Sequence, residues 1–272
     1  MFHLRQIETF DAPELAPYRT MRRPTEHHAL GIFVAEGDKV VKRMLRDPAY
    51  GVVSVVLPPD RVEEFTPLFE ARPENFEVFI APKSLLEELI GFHMYQGVLA
   101  VGKIPEQPSL ETVIGGSPRP LLFVAADELA NSENVGALVR NCAAFGVHAL
   151  IVGESCASPW LRRSVRSSMG TIFTLPVIES PSLVLTLRWL REQGVHVVAA
   201  HPHTDQRTLT QGQFTGDCCI VMGNEGKGIR PEVLEVCDEA VAIRMPPNVD
   251  SLNVTSATSV FLYEANRQRG RM

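Results

Sequence analysis

Three short stretches of this 272-residue chain combine polar side chains at spacings that could do chemistry. The first, NSENVGALVRN, places Asn134 and Arg140 six positions apart, about two turns of a helix. An arginine suits a phosphate, and its fixed charge favours ionisation of a nearby hydroxyl. At its ordinary pKa it cannot take that proton as a base. The second, VMGNEGKGIRP, is an apolar run broken by Gly223, Gly226 and Gly228, with Asn224, Glu225 and Lys227 between them. Glycines there permit positive φ and let main-chain N–H groups approach a ligand. The third is Ser251-Leu252-Asn253, just before the last helical run, where Ser251 by itself reads as an N-cap.

A phosphate is the first ligand to consider for the glycine stretch, and the spacing excludes the two usual cradles. A Walker loop needs a hydroxyl after its lysine, but Lys227 is followed by Gly228. A dinucleotide fingerprint needs G-x-G-x-x-G, but the order here is G-x-x-G-x-G. A nucleotide-dependent oxidoreductase is thereby disfavoured. Plainer readings stand beside the chemical ones. Asn134 could cap a helix and Arg140 could be a surface ion-pair residue. The glycines could form a simple strand-to-helix turn with Pro231 opening the helix, and Glu225 could be a helix N-terminal charge. His201 and His203 lack a third ligand pattern, so no metal site is expected, and Cys142 reads as packing.

The elements that must position these residues follow from periodicity. From Gly31 to Lys103, short apolar runs alternate with helical segments: GIFVAEG, VVSVVLP, FEVFIAP and GVLAVGK as strands, and helices near Asp38–Arg46, in RVEEFTPLFEA and in KSLLEELIG. The stretch IPEQPSLETVIGGSPRP, rich in proline and glycine, marks a boundary between domains at 1–107 and 118–272. The second half restarts with PLLFVAADEL, a strand running into acidic residues, then a helix from about Asn134 to Phe145. HALIVG, VHVVAAH, CCIVMG and AVAIRMP follow as strands. SPWLRRSVRSSMG, SLVLTLRWLREQG, PEVLEVC and the final SLNVTSATSVFLYEANRQR read as helices, and TIFTLPV as extended. Alternating strands and helices predict an α/β fold with a mostly parallel sheet covered on both faces, and ligands in such sheets bind at the carboxyl ends of strands. By pattern alone the sheet is open and doubly wound.

Composition bounds the function classes. Hydrophobic residues make up 45% and charged residues 21%, and no apolar run is long enough to span a membrane. The first residues show no export signal. Five cysteines without a C-x-x-C argue against a disulfide framework or zinc site and for a reducing, cytoplasmic setting. A net charge of -6 gives no global nucleic-acid footprint, but arginines and lysines cluster at 19–23, 39–46, 162–166 and 267–271, which permits an RNA partner.

In their order and spacing the three stretches resemble the three motifs of the SpoU family of RNA 2'-O-ribose methyltransferases, in the TrmH-like branch of the SPOUT superfamily, over roughly Leu121 to Arg269. The resemblance implies a SPOUT α/β knot, with the C-terminal segment threaded into a trefoil, and a homodimer. It implies S-adenosyl-L-methionine as cofactor, with Gly223, Glu225, Ile243 and Leu252 at cofactor-contacting positions. Asn134, Arg140, Ser251 and Asn253 take the catalytic positions, Arg140 activating the ribose 2'-hydroxyl. Where family members often have Asp-Pro this chain has Asn131-Ser132, and where they read Val-Ser-Val-Ala it reads Val-Thr-Ser-Ala from Val254. The first half resembles the L30e-like substrate-binding domains of such enzymes, through EGDKVVKRML and HMYQGVLAVGK. That implies recognition of tRNA or rRNA through Arg22, Arg23, Lys39 and Arg43. RSSMG, from Arg166, resembles a family segment that supports RNA or the dimer. The alternative is a SPOUT scaffold that binds RNA without catalysis.

Overall fold

The computed structural model describes residues 1–21, 24–90, 97–205, 207–246 and 248–271. Arg22, Arg23 and the HMYQ of the proposed closing strand therefore lie outside the described residues. Contacts divide the chain into two compact units, one of Met1–Glu106 with Trp160–Phe173, the other of Gln107–Pro159 with Thr174–Met272.

The first unit holds β1 (Phe2–Gln6), α1 (Ala16–Arg19), α2 (Pro24–Ala29), β2 (Ile32–Glu36), α3 (Asp38–Arg46), β3 (Val52–Leu57), α4 (Val62–Glu70), β4 (Phe76–Ile80), α5 (Lys83–Ile90) and β5 (Leu99–Lys103). Its five strands lie in the order β1-β4-β3-β5-β2, with β1, β4 and β3 parallel and β5 antiparallel to both β3 and β2. Val34, Val56, Phe79, Leu99 and Val101 form its core with Leu15 and Tyr18, whose hydroxyl pairs with Ser54 at 2.9 Å.

Residues 160–173 also fold with this unit, although in the chain they interrupt the second half. Trp160 packs on Phe33 (ring centroids 5.2 Å apart) and Phe173 on Tyr50 (4.8 Å). Within the segment α8 (Arg162–Ser167) directs Arg162 and Arg166 to the buried Glu36 carboxylate. Apolar periodicity could not foresee this, because it says that a residue is buried and not against what.

The second unit contains α6 (Leu110–Gly116), β6 (Leu122–Ala126), α7 (Ser132–Ala144), β7 (Ala149–Val152), β8 (Val177–Glu179), α9 (Leu183–Glu192), β9 (His196–Ala200), β10 (Arg207–Thr208), β11 (Cys218–Met222), α10 (Pro231–Leu234), β12 (Glu239–Ala242) and α11 (Val254–Gln268). All seven strands are parallel, in the order β10-β12-β9-β11-β6-β7-β8. Every residue of β6, β7 and β11 is buried. That is why they read as unbroken apolar runs: both faces are covered. One face packs Phe123, Val197 and Val221 against Leu183, Leu187 and Leu190 of α9. On α11, Phe261 meets Phe214 edge to face at 6.2 Å.

Two local expectations change. The boundary stretch is not all linker: Ser109 accepts a bond from the Thr112 N–H (3.1 Å) and caps α6, whose Val113 joins the second core. TIFTLPV is extended only at its end. Thr171–Phe173 is a 3-10 turn, and β8 starts at Val177.

Candidate active site

The carboxyl ends of β11, β9 and β12 open into one cavity of about 420 Å³, a size suited to a small organic ligand. Its lining includes Met222 at the end of β11 with Gly223, Glu225 and Lys227 after it, His201 and His203 after β9, and Ile243 and Met245 after β12. Asp250, Ser251 and Leu252 complete it with Val254, Ala257 and Phe261 of α11. The four positions expected to contact cofactor therefore share one cavity, and Ser251 joins them.

The glycine loop is held by its own backbone and by one asparagine. Asn224 and Gly228 exchange two main-chain bonds of 2.9 Å each. The Asn224 Oδ1 accepts the N–H groups of Gly226 (2.8 Å) and Lys227 (3.0 Å), and its Nδ2 donates to the Glu128 carbonyl (2.8 Å). Gly228 has φ +75°, and a Cβ on Gly223 would lie 2.5 Å from the Gly228 carbonyl carbon. Only glycine fits that close approach, so the loop folds back over the end of β11.

Behind the loop, Asp127 is fully buried at the end of β6. Its carboxylate accepts the Arg230 N–H and Nε at 2.8 Å each, and Arg230 also reaches Glu154 at 2.9 Å. Burial raises the Asp127 pKa against the opposing bonds from Arg230. Sequence reasoning noticed the acidic end of this strand and assigned it nothing. Arg230 lies 103 residues away, a pairing that no local pattern encodes.

At the rim, Asn134 Nδ2 donates to Glu225 Oε1, and Asn253 Nδ2 approaches Asn134 Oδ1 at 3.5 Å. Neither Asn134 nor Ser251 is a cap. Asn131 caps α7 by accepting the Glu133 N–H (2.8 Å), and Asn253 caps α11 by accepting the Thr255 N–H (2.9 Å). The Asn141 side chain ties the two helices by donating to the Thr255 carbonyl at 2.8 Å. Arg140 stands exposed farther along α7. Among the described residues its guanidinium has neither a hydrogen bond nor an ion pair, and it does not line the cavity.

The cations assigned to RNA have diverse surroundings. Lys39 is exposed on α3, Arg43 donates to the Met169 carbonyl (3.0 Å), and Arg166 pairs with Glu36 (3.1 Å). In the last basic cluster Arg267 pairs with Glu264, while Arg269 donates to the carbonyls of Phe214, Pro120, Leu121 and Gly216. His201 has its pKa lowered, chiefly by burial. Among the described residues no group of acidic, histidine or cysteine side chains could hold a metal.

S-adenosylmethionine fits this donor set. An adenosine needs apolar walls and main-chain polar groups, which Ile243, Met245, Leu252, Phe261 and the close-packed Gly223 segment provide. A cationic centre is favoured by the Glu225 and Asp250 carboxylates.

A parallel α/β unit with a cofactor-sized cavity at its strand ends, and a chain of carboxamides and a carboxylate at the rim, defines a cofactor-dependent enzyme of the α/β class. The family model of the SpoU rRNA Methylase family matches residues 121–263, and the chain belongs to that family. The 23S rRNA (guanosine-2'-O-)-methyltransferase RlmB of Pectobacterium atrosepticum is 32% identical over 239 residues, 86% of this chain and 97% of that relative. The crystal structure of the SpoU methyltransferase AviRb from Streptomyces viridochromogenes is 25% identical, covering 93% of this chain and 96% of its own, with a TM-score of 0.80. AviRb in complex with the cofactor AdoMet shares the fold at 24% identity, covering 95% and 98% of the two chains, with a TM-score of 0.82.

Proposed function

We propose that this protein methylates a ribose 2'-hydroxyl in RNA, with ribosomal RNA as the substrate class and S-adenosylmethionine as the methyl donor. One observation carries the reading: Gly223, Glu225, Ile243, Ser251 and Leu252 line a single cavity, and Glu225 bonds Asn134 at its rim, in a chain of the SpoU rRNA Methylase family. The relatives named as 23S rRNA guanosine-2'-O-methyltransferases support the ribosomal substrate.

When bound, S-adenosylmethionine supplies the methyl group as an electrophile on a cationic sulfur. The protein's part is to hold the cofactor, orient the ribose and favour its ionised hydroxyl. Met245, Leu252 and Phe261 would supply apolar walls for the cofactor, the glycine loop would offer main-chain groups, and Glu225 and Asp250 would offset its positive charge. Asn134 has its amide oriented by Glu225 on one side and Asn253 on the other, which fixes its dipole at the rim of the cavity. Arg140, with no internal partner among the described residues, stabilises the developing alkoxide, and the hydroxyl proton passes to water.

Three further assignments belong to the same reading. The protein works as a homodimer with a trefoil-threaded C-terminal segment, as membership of the family suggests. The first unit recognises RNA, with Lys39 a surface cation that has no side-chain partner among the described residues, and the second unit carries the transferase. The five free cysteines suit a reducing cytoplasm, and among the described residues no helix is long and apolar enough to cross a membrane. No observation favours a binding-only scaffold, since Asn134, Arg140, Ser251 and Asn253 are all present.

The test is to map 2'-O-methyl positions in total RNA from cells with and without the gene, and to repeat transfer with purified protein. Loss of one ribose mark in ribosomal RNA is expected. Loss of a mark on a base, or no loss and no transfer in vitro, refutes the reading.

A further inference from the structure

We propose that Lys227 grips the RNA phosphate adjoining the methylated ribose, as a positioning residue of the catalytic unit. The assignment rests on the RNA 2'-O-methylation reading above.

Lys227 is exposed at the tip of the glycine loop, and its backbone is held in place. Its N–H is held by the Asn224 side chain, and the loop is closed by the Asn224–Gly228 pair. Its ammonium, by contrast, has no hydrogen bond or ion pair among the described residues. The carboxylate two positions back, Glu225, is engaged by Asn134.

Most cations of the second unit are engaged elsewhere or lie away from the cavity. Arg119, Arg191, Arg207, Arg230 and Arg267 all pair with carboxylates, and Arg269 is held by carbonyls. Among the described residues of the second unit the cations left without a side-chain partner are Arg140, Arg188, Lys227, Arg244 and Arg271, and of these only Lys227 lines the cavity.

A lysine beside a site for a cationic cofactor is electrostatically unfavourable unless its charge answers an anion. Besides Asp250 of the cavity lining, which has no ion pair with it, two anions from the ligands would come near it: the carboxylate of the cofactor's amino-acid end and an RNA phosphate. Exposure at the rim, on the loop that bonds the Asn134 side chain, favours the phosphate. In RNA the 3'-phosphate is carried on the carbon next to the one bearing the 2'-hydroxyl, so a reacting ribose necessarily brings that phosphate to the rim. A compact ammonium on a flexible stem suits a single phosphate oxygen.

The experiment uses the full-length protein with Lys227→Gln and Lys227→Arg. Deproteinised 23S ribosomal RNA is the binding probe across a tenfold range of salt, with calorimetry of S-adenosylmethionine without RNA alongside. Loss of one phosphate contact should lower the salt slope by about 0.7 to 0.9, a difference of about five- to eightfold in affinity change over that range. Cofactor affinity of Lys227→Gln should stay within about twofold, KM for RNA should rise more than kcat falls, and Lys227→Arg should keep the slope. An unchanged slope in Lys227→Gln overturns the assignment. Weakened cofactor binding with an unchanged slope moves Lys227 to the cofactor carboxylate. A flat slope in the unaltered protein overturns the RNA reading as well, so the two failures are distinguishable.

Discussion

Asn134 donates a hydrogen bond from its Nδ2 to Glu225 Oε1 across 91 residues of sequence, joining the first turn of α7 to the tip of the glycine loop. The bond requires an amide donor at one end and a carboxylate at the other. Asn134→Asp, nearly isosteric, sets two carboxylates against each other and should lower kcat at least tenfold, about 1.4 kcal/mol in the barrier. Adding Glu225→Gln to that variant should recover part of the loss. Equal activity of the single and double variants in a double-mutant cycle would show that the bond has no role.

Arg140→Ala should reduce single-turnover transfer about 10²- to 10³-fold at saturating cofactor, because it removes the charge that stabilises the alkoxide. Calorimetry should find S-adenosylmethionine affinity unchanged, since Arg140 does not line the cavity. Arg140→Lys should rescue poorly, a point charge being no substitute for a planar fork.

Gly223→Ala forces the loop outward, because the added carbon would meet Gly228 and Ile229 main-chain atoms at 2.5 to 2.6 Å. Overpacking of this kind costs about 1 to 3 kcal/mol. Cofactor affinity should fall with stability, whereas Gly226→Ala, where the nearest atom is the Asn224 Oδ1 at 3.6 Å, should be tolerated. Denaturant titration and calorimetry on both variants separate the two effects.

Arg269→Ala should destabilise the protein by about 3 kcal/mol, since one guanidinium serves the carbonyls of Pro120, Leu121, Phe214 and Gly216 and leaves them without that donor when removed. Chemical denaturation measures this, and a change under 0.5 kcal/mol, the scale of an ordinary surface substitution, would show that water replaces the guanidinium.

Acid stability should carry the mark of His148. Burial first, then the charges of Arg271 and Arg269, lower its pKa, and its Nδ1 accepts the Leu122 N–H at 2.9 Å, which needs that nitrogen unprotonated. The folded value lies below the unfolded value near 6.5, so the contribution is fully present above 6.5. As pH falls through 6.5 the unfolded chain takes up the proton first, and stability drops until the folded value is passed. His201, lowered by burial, acts in the same direction. Melting temperature should therefore decline between pH 7 and pH 5, and less so in His148→Gln, whose amide oxygen can still accept the Leu122 bond.

The parallel α/β class of the second half was legible in the residues alone, because β6, β7 and β11 are buried on both faces and so are written as continuous apolar runs. The sequence also contained the cavity's polar and glycine positions, since Gly223 and Glu225 lie within one short loop and Ser251 and Leu252 are adjacent. Which groups face each other follows from the folded chain and not from any local pattern. Asn253 reaches Asn134 over 119 residues, Arg230 reaches Asp127 over 103, and residues 160–173 pack in the unit that precedes them in the chain. Even the caps moved to Asn131 and Asn253, because several neighbouring polar residues could each start a helix and tertiary packing chooses among them. Periodicity records whether a residue is buried. Its partner is set by strand order and by long-range side-chain bonds, which leave no repeat in the chain.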